Sequence, residues 1–256
     1  TSPGSPDEVP TLAAINHAFC LLFHQGKRYC LMPPTDTYRP KTSPQGIQGR
    51  KALVENGDSC LILTLPQADA SASTDSLNYH YRLMTDSNPP TLKGTATRVS
   101  TGEYKEYLLS LYHDTPKEKQ TDLLNNQINN TAAVQSADGV LLEADPHEDF
   151  FHQPIDTTRR KQDYLLPWRC RIVREVTIDI PQGYAVSYLP ADFHIETNQG
   201  ILIAPTAPEQ DISTSEKVME IRRKRIPLAL IPAWNDALRQ WKKACNEQIV
   251  IRQSTL

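Results

Sequence analysis

Trp168-Arg-Cys-Arg-Ile-Val-Arg-Glu-Val-Thr-Ile-Asp-Ile180 indicates the fold class of this chain, because apolar residues alternate with polar ones along most of it. Such alternation is typical of a β-strand with one buried face. Further strand patterns cover residues 77–84, 92–100, 183–189, 194–197, 201–204, 216–226 and 248–252. Strands that follow one another at about 8 to 12 residues, with turn signals between them, predict a sandwich or an open β domain.

Three helices are predicted among these strands, over residues 103–112, 116–128 and 232–247. In the first, aromatic and aliphatic residues recur at helical spacing, so one face should pack on a sheet. Before the second, Thr115, Pro116 and Glu118 form the pattern of a capping box. The third should dock on a sheet through one apolar stripe. The stripe consists of Trp234, Leu238, Trp241 and Cys245.

The amino-terminal part begins with a predicted hairpin that turns at Gln25-Gly26. Its sequence is Ala14-Ile-Asn-His-Ala-Phe-Cys-Leu-Leu-Phe-His-Gln-Gly-Lys-Arg-Tyr-Cys-Leu-Met-Pro-Pro-Thr35. A two-residue turn is the commonest hairpin connection, and here it pairs Leu21 with Cys30. In the same register, Phe19 faces Met32. His17 then shares a face with Phe19 and lies diagonal to Met32.

A second hairpin is predicted at Asn56-Gly57, between strand patterns at 49–54 and 60–65. Residues 67–75 follow, and they are small and polar without periodicity, which predicts a linker. We therefore expect an amino-terminal β part over 1–66 and a β-rich domain with helices over 76–256. Because 1–66 is too short for a core of its own, it should pack on the larger domain or on a second copy of the chain.

Several short motifs resemble bacterial transglutaminase-like proteins of the cysteine-protease fold. In the hairpin, Asn16-His17 opens one strand and Met32-Pro-Pro-Thr35 closes the next, where the family has an aromatic-x-Asp-Pro-Thr segment. Gln48-Gly-Arg-Lys-Ala-Leu53 matches the segment that follows in the family. Signposts of the β-rich domain that follows the catalytic core are Leu166-Pro167, Ile180-Pro-Gln-Gly-Tyr184, Leu189-Pro190 and Ile231-Pro232.

The resemblance implies that His17 is the catalytic histidine. Met32 stands where the family has the orienting aspartate, and a thioether cannot accept the hydrogen bond that holds an imidazole in one tautomer. Asp36 is the nearby carboxylate that could substitute, although it follows two prolines that tend to end a strand. The helix that carries the family's cysteine has no counterpart before the hairpin, which suggests a carboxy-terminal fragment of a longer protein.

Two functions follow from this resemblance. The chain is expected to be a non-catalytic binding or scaffold module with a degenerate triad, because of Met32. The alternative is the rear part of an active thiol amidase, peptidase or transglutaminase whose cysteine lies upstream, with His17 as the base. In that case a protein or peptide amide substrate would be bound with the missing front part. The overall architecture is then α+β and mainly β: antiparallel strands of a truncated core, followed by a sandwich-like domain with a few short helices.

Composition narrows the remaining classes. Hydrophobic residues make up 39% and charged residues 22%, and the formal net charge is -3, which disfavours a nucleic-acid-binding face. No apolar run is long enough to predict a transmembrane helix. The basic run Arg222-Arg-Lys-Arg225 is short and is interpreted as a solvated strand end. Residues 1–10 lack the features of a signal peptide, and the expected periplasmic or extracellular location comes from the family resemblance.

Cysteines and histidines predict no metal or cofactor site. The five cysteines are odd in number, lack Cys-x-x-Cys spacing and lie among apolar residues, so all are expected to be buried. Cys30 shares the face of His17, but a strand position lacks the helix amino terminus that activates a thiol. His147 and His152 lie in an acidic segment at a spacing that suits no helical zinc motif. That segment is interpreted as a solvated loop, with a weak calcium site as the minor alternative.

Overall fold

The computed structural model describes residues 20–31, 47–56, 58–87, 89–127, 133–136, 139–143, 154–198, 200–204, 206–208 and 212–254. The helices are α1 Gly102–Asp114, α2 Gln120–Asn126 and α3 Ile231–Cys245. The strands are β1 Cys20–His24, β2 Lys27–Leu31, β3 Lys51–Asn56, β4 Ser59–Thr64, β5 Thr74–Met84, β6 Thr91–Ser100, β7 Ala133–Ser136, β8 Gly139–Glu143, β9 Tyr164–Leu165, β10 Cys170–Asp179, β11 Tyr184–Tyr188, β12 Phe193–Glu196, β13 Gly200–Ala204, β14 Thr206–Pro208, β15 Ile212–Ile221, β16 Arg225–Ile226 and β17 Gln248–Gln253.

The largest sheet is built around β10, the strand that the alternation at 168–180 predicts. β10 pairs antiparallel with β15 on one side and parallel with β5 on the other. β5 continues into the antiparallel strand β6, while β13 and β12 follow β15. Every second residue of β10 is buried and the others are half-buried. The core therefore lies on one face of this sheet.

A second sheet covers part of that core face. β11, β17, β8 and β7 form it in this order, and all its pairs are antiparallel. Apolar residues of β5 and β10 pack with residues of β8 and β17 in one hydrophobic cluster. Its buried members are Leu77, Tyr79, Leu83, Val140, Val176, Ile178, Ile180, Ile249 and Ile251. The expected sandwich-like packing is thus present at this end of the sheet.

α3 covers the other end of the same face. Its stripe of Trp234, Leu238, Trp241 and Cys245 is buried in a second hydrophobic cluster with Cys170, Ile172, Met219 and Ile221 of the sheet. Pro232 lies in the first turn of α3, where its missing N–H costs no helical hydrogen bond. A fully buried aromatic side chain contributes on the order of 2–3 kcal/mol through the hydrophobic effect. The predicted docking of this helix on a sheet is confirmed.

The two shorter helices also occur where the sequence predicts them, but the capping box is wrong. The Thr115 hydroxyl donates to the Leu111 carbonyl oxygen at 2.7 Å, at the end of α1, and makes no cap for the next helix. A 3-10 turn over Lys117–Lys119 precedes α2 instead. The Gln120 amide donates to the Tyr112 carbonyl oxygen at 3.1 Å and so joins the two helices. Threonine here completes the first helix, because the preceding carbonyl groups lack helical partners.

The second part of the predicted linker at 67–75 has regular structure beside the main sheet. Ala70–Ala72 form a 3-10 turn, and Thr74 and Asp75 already belong to β5. The Ser73 carbonyl oxygen accepts from the Arg171 N–H at 3.0 Å. Small polar residues can thus line a tight turn beside a strand as readily as a linker. The division of the chain into domains stays a prediction.

Both predicted hairpins are present in the amino-terminal part. β1 pairs with β2 in the predicted register, with Leu21 opposite Cys30. Gln25 and Gly26 have φ angles of 48° and 72°, which are those of the type I′ turn that suits a two-residue hairpin. In the second hairpin, β3 ends at Asn56 and β4 begins at Ser59. Its connection is therefore one residue later than Asn56-Gly57.

The fold class is confirmed as α+β and mainly β. Antiparallel pairs dominate, and the parallel pairing of β5 with β10 makes the largest sheet mixed. Across the part of the chain that the structure describes, no helix combines the length and the apolar character needed to span a bilayer.

Gly102 allows α1 to begin directly against the turn that precedes β5. Its φ is 56°, and a Cβ atom at this position would clash with the Ala72 carbonyl oxygen and the Ser73 hydroxyl. The Ser73 hydroxyl oxygen also accepts from the Glu103 N–H at 3.1 Å. Residue 102 therefore needs both a left-handed backbone and the absence of a side chain.

We expect Gly102→Ala to lower the free energy of unfolding by about 2–5 kcal/mol. A left-handed backbone costs an alanine about 1–2 kcal/mol, and the clash adds about 1–3 kcal/mol. Gly183→Ala is the matched control, because Gly183 has a φ of 88° with open space around it. Denaturant unfolding of both variants measures the difference. Equal losses would show that the close contact at Gly102 has no energetic weight.

Candidate functional site

The residues of the predicted catalytic site lie outside the described residues. These are His17, Met32 and Asp36. Their assignment therefore stays a prediction, and only the neighbouring hairpin register is confirmed. His147 and His152 of the acidic segment also lie outside the described residues. Among the side chains that the structure does describe, no three or more histidines, cysteines and acids are placed to hold a metal ion.

Asp75 is the centre of a polar network among the described residues and is fully buried on the core face of β5. Its carboxylate accepts from Arg174 Nη2 at 2.9 Å, from Arg98 Nε and Nη2 at 2.8 and 3.0 Å, and from the Ser100 hydroxyl at 2.7 Å. Arg174 Nη1 also donates to the Asp75 carbonyl oxygen at 3.0 Å. One carboxylate thus joins β5 with both of its neighbours, β6 and β10.

Arg174 lies between the two hydrophobic clusters along the buried face of β10. Ile172 belongs to one cluster and Val176 to the other. Lys217 is the partner of Arg174 on β15 and is also buried. Its Nζ donates to the Cys245 carbonyl oxygen at 3.4 Å, at the end of α3. The carboxyl end of a helix carries partial negative charge, so the end of α3 is a suitable partner for an amino group.

Arg98 extends the same network to α2. Its Nη1 donates to Gln127 Oε1 at 2.8 Å and to the Gln127 carbonyl oxygen at 3.3 Å. None of the residues of α2 is fully buried, so apolar packing holds this helix only weakly. The arginine therefore contributes much of the attachment of α2 to the sheet.

Burial alone would raise the pKa of Asp75. The charges of Arg174 and Arg98, with the hydrogen bonds from Arg98 and Ser100, outweigh this effect and hold the pKa below its ordinary value of 3.8. A carboxylate that is bonded and paired in this way stays ionised although it is buried. Both oxygens of the Asp75 carboxylate accept hydrogen bonds from β6 or β10, so this carboxylate connects strands and is not placed to bind a substrate.

A histidine–carboxylate pair lies on the opposite, outer face of the sheet. His80 Nε2 is 2.9 Å from Asp179 Oδ1, and Arg82 contacts the other Asp179 oxygen at 3.4 Å. The hydrogen bond with His80 is the largest effect that lowers the pKa of Asp179, and Arg82 adds to it. The His80 side chain is 58% exposed and that of Asp179 is 28% exposed. The pair is thus open to solvent on a sheet surface.

On the outer faces of β10 and β15, most of the opposed side chains are of the same kind. Val173 faces Val218, and Thr177 faces Thr214 with 3.5 Å between their hydroxyl oxygens. Arg171 and Glu220 face each other as an ion pair. Glu175 faces Glu216, and like charges at directly opposed strand positions repel each other. This face is therefore polar, with one unfavourable pair of acids near its middle.

The basic run at 222–225 is only partly the solvated strand end that was expected. Arg222 is exposed and paired with Glu220 and Glu196. Arg225 is exposed and belongs to the short strand β16. Lys224 is half-buried, and burial is the largest effect that lowers the pKa of its ammonium group, with Arg50 and Arg169 lowering it further. Glu103 acts in the opposite direction and raises the pKa of Lys224.

The expectation that the cysteines are buried holds for two of the four whose side chains are described. Cys170 and Cys245 are buried in the cluster beneath α3. Cys20 and Cys60 are exposed on the two amino-terminal hairpins. The apolar neighbours of Cys20 and Cys60 do not predict burial, because each hairpin is a separate two-stranded sheet.

Sequence reasoning missed the buried network because it assigned Asp75 to a linker. A period of two was present, since Asp75, Leu77, Tyr79 and Leu83 all face the core. An acid at the start of an apolar alternation is nevertheless usually assigned to the preceding loop. Arg174 interrupts the apolar face of β10 and was the available signal that a buried acid should lie nearby.

Comparisons with known proteins give one family match, which lies in the second half of the chain. Residues 139–251 match a family model described as a domain of unknown function with a solved structure. This model is DUF3858, and it matches less than half of the chain. No curated protein matches the chain. The DUF3858 match contains all four signposts at 166–167, 180–184, 189–190 and 231–232.

One solved structure resembles part of the chain. It is a crystal structure described as a "putative protease" from Parabacteroides distasonis ATCC 8503, with a TM-score of 0.34 and 13% identity. The match covers 40% of this chain and 20% of that chain. A likeness this slight carries no argument about fold or activity. The DUF3858 match, for its part, names no activity.

We expect Asp75→Asn to lower the free energy of unfolding by about 3–5 kcal/mol at neutral pH. The substitution removes the carboxylate charge that pairs with the buried guanidinium group of Arg174. Asp122→Asn, at an exposed position of α2, is the control and should change stability by less than about 0.5 kcal/mol. Denaturant unfolding provides the measurement. Similar effects of both variants would contradict the central place of Asp75.

The contribution of Asp75 to stability should also depend on pH. Since the pKa of this carboxyl is lowered in the folded state, the unfolded chain binds the proton more readily in acid. The stabilisation is complete above the unfolded pKa of about 3.9 and is lost as the pH falls through the lower folded pKa. The stability difference between the original chain and Asp75→Asn should shrink below about pH 4. A constant difference down to acid unfolding would argue against a charge effect.

Proposed function

We propose that this chain is the carboxy-terminal part of a bacterial transglutaminase-like protein and serves as a non-catalytic binding or scaffold module. The observation that carries the proposal is the use of the buried charges. Asp75, Arg98 and Arg174 bond strands β5, β6 and β10 to one another. Among the described residues, charged groups used in this way stabilise an architecture.

The histidine–carboxylate pair on the outer face does not favour catalysis. General acid–base groups act most strongly in a cleft that excludes water and holds the substrate. His80 lies on an open sheet, and Arg82 shares the carboxylate with it. An exposed pair of this kind contributes little electrostatic stabilisation, since water screens it.

Sequence motifs support the family part of the proposal. The Asn16-His17 opening of the first hairpin and the segment at 48–53 are similar to the rear of a transglutaminase-like core. Four signposts of the following β-rich domain fall within the DUF3858 match. Met32 at the position of the orienting aspartate favours a core that has lost its triad. The proposal includes export to the periplasm or the extracellular space and intramolecular packing against upstream domains.

The test is an assay of the purified chain with amide substrates and an amine acceptor, beside the His17→Ala variant. We expect no hydrolysis or transamidation above the level of that variant, because a base without a cysteine nucleophile offers little rate enhancement. A thiol-reactive reagent should modify the exposed Cys20 and Cys60, and this modification should not change the rate measured in the assay. His113→Ala, at an exposed position of α1, is the control for removal of a histidine.

Turnover that disappears in His17→Ala and persists in His113→Ala would overturn the non-catalytic proposal. It would instead support the alternative, the rear part of an active thiol amidase, peptidase or transglutaminase. The same pair of variants in any longer form of the protein tests whether an upstream cysteine uses His17 as its base.

A further inference from the structure

A basic loop over residues 155–164 leads from the carboxy side of the acidic segment into β9. It contains three consecutive cations, Arg159, Arg160 and Lys161. Arg159 and Lys161 are exposed, while Arg160 is half-buried. The hydrogen bonds of this loop are with residues outside the Asp75 network and outside the outer face of the sheet.

Both ends of the basic loop are held by hydrogen bonds to the α3 region. At its start, the Ile155 N–H donates to Asn235 Oδ1 at 2.8 Å, and Asn235 Nδ2 donates to the Ile155 carbonyl oxygen at 2.9 Å. At its end, Asp163 accepts from the Leu228 N–H at 2.9 Å and from Arg225 Nε at 2.7 Å. Ile155 and Asn235 are both buried. The loop is therefore anchored on the folded core.

Contacts within the loop orient Arg160. Asp156 Oδ1 accepts from the Thr158 N–H at 2.9 Å and from its hydroxyl at 2.7 Å, which closes a tight turn. Arg160 Nε donates to the Asp156 carbonyl oxygen at 3.4 Å. Its guanidinium carbon lies 4.9 Å from the centre of the Tyr164 ring. A guanidinium held by a carbonyl group and an aromatic ring loses less conformational entropy when it binds an anion.

The basic loop borders a shallow surface hollow of about 470 Å³ that is largely open to solvent, lined by Asp156, Arg159, Arg160, Lys161 and Gln162. This volume lies within the range of about 300–1,000 Å³ that small-molecule sites occupy. The lining has three cations and one carboxylate, so two positive charges remain uncompensated within it. A dianion of small size matches both the volume and the charge.

We propose that the hollow of the basic loop binds a small organic phosphate monoester. A phosphate monoester carries about −1.5 to −2 charges near pH 7 and three acceptor oxygens. Arginine guanidinium groups donate paired hydrogen bonds to such oxygens, and Lys161 supplies a further point charge. The Gln162 side chain also lines the hollow, where its amide can contact the organic part of the ligand. The proposal does not depend on the transglutaminase-like resemblance or on the absence of catalysis.

The experiment is a calorimetric titration of the full chain with phenyl phosphate, with benzoate as the monoanionic comparison. Phenyl phosphate should saturate a single site, and benzoate should bind at least about tenfold more weakly, because it has fewer charge-assisted hydrogen bonds. Arg159→Gln and Lys161→Gln should each weaken phosphate binding by about five- to tenfold. Arg223→Gln, an exposed arginine of the other basic run, should leave the affinity unchanged.

A gain-of-affinity variant separates ligand binding from a structural role of the loop. Asp156→Asn retains a side-chain oxygen for the turn with Thr158 and removes the one negative charge of the lining. Phosphate affinity should therefore rise by about three- to fivefold, as expected for one charge about 4–6 Å from the phosphate in an exposed position that water screens almost as well as bulk solvent. Thermal unfolding of every variant shows whether the fold is kept.

Three results would overturn the proposal. The first is the absence of saturable binding of phenyl phosphate. The second is a loss of affinity in Arg223→Gln equal to the losses in Arg159→Gln and Lys161→Gln. The third is unchanged or weaker binding in Asp156→Asn while the fold is intact. Binding of long sulfated polysaccharides without binding of phenyl phosphate would also overturn it, since that would indicate a polyanion surface and not a small-ligand site.

Discussion

The ion pair between Asp75 and Arg174 is the interaction on which the arrangement of the central sheet depends. Both side chains are almost completely withdrawn from water, so each would be costly without the other. Replacement of a buried ion pair by apolar residues often leaves stability unchanged or raises it. The contribution of this pair is therefore to the specificity of strand pairing. A shift of β5 by one residue would move Asp75 to the outer face and leave Arg174 buried alone. The pair therefore selects one register of a parallel pairing that apolar contacts alone would specify less sharply.

α3 connects three features of the molecule that are separate in sequence. Its apolar stripe fills the cluster over one end of the sheet, and its last carbonyl groups face the buried Lys217. On its first turns, Asn235 holds the start of the basic loop. A change in the packing of α3 would thus affect the core, a buried charge and the basic loop together.

The sequence predicted most of the elements, because their signals are local. The alternation in β10, the helical spacing in α1 and the stripe of α3 each follow from a few neighbouring residues. The pairing of β5 with β10 could not be predicted in this way, since it joins segments far apart in the chain. For the same reason the sequence does not predict the partners of Arg174 and Lys217. Arg174 is bonded to Asp75, and Lys217 to the carbonyl group of Cys245 at the end of α3. In the sequence, Arg159 to Lys161 are three cations in a polar stretch, and this local pattern predicts no binding site. The hydrogen bonds of Asn235 and Asp163, which fix the position of the loop, exist only in the folded protein.

The parallel pairing of β5 with β10 also has a consequence for folding. Between these strands the chain must complete the β5–β6 hairpin, two helices and part of the second sheet before β10 reaches its place. Contacts of such long sequence separation raise the contact order and slow folding, because the entropy of loop closure is lost before the contacts form. On a ribosome, the edge of β5 stays unpaired until β10 has emerged, with Asp75 still in water. This interval is the period in which the nascent chain is most exposed to aggregation through that edge.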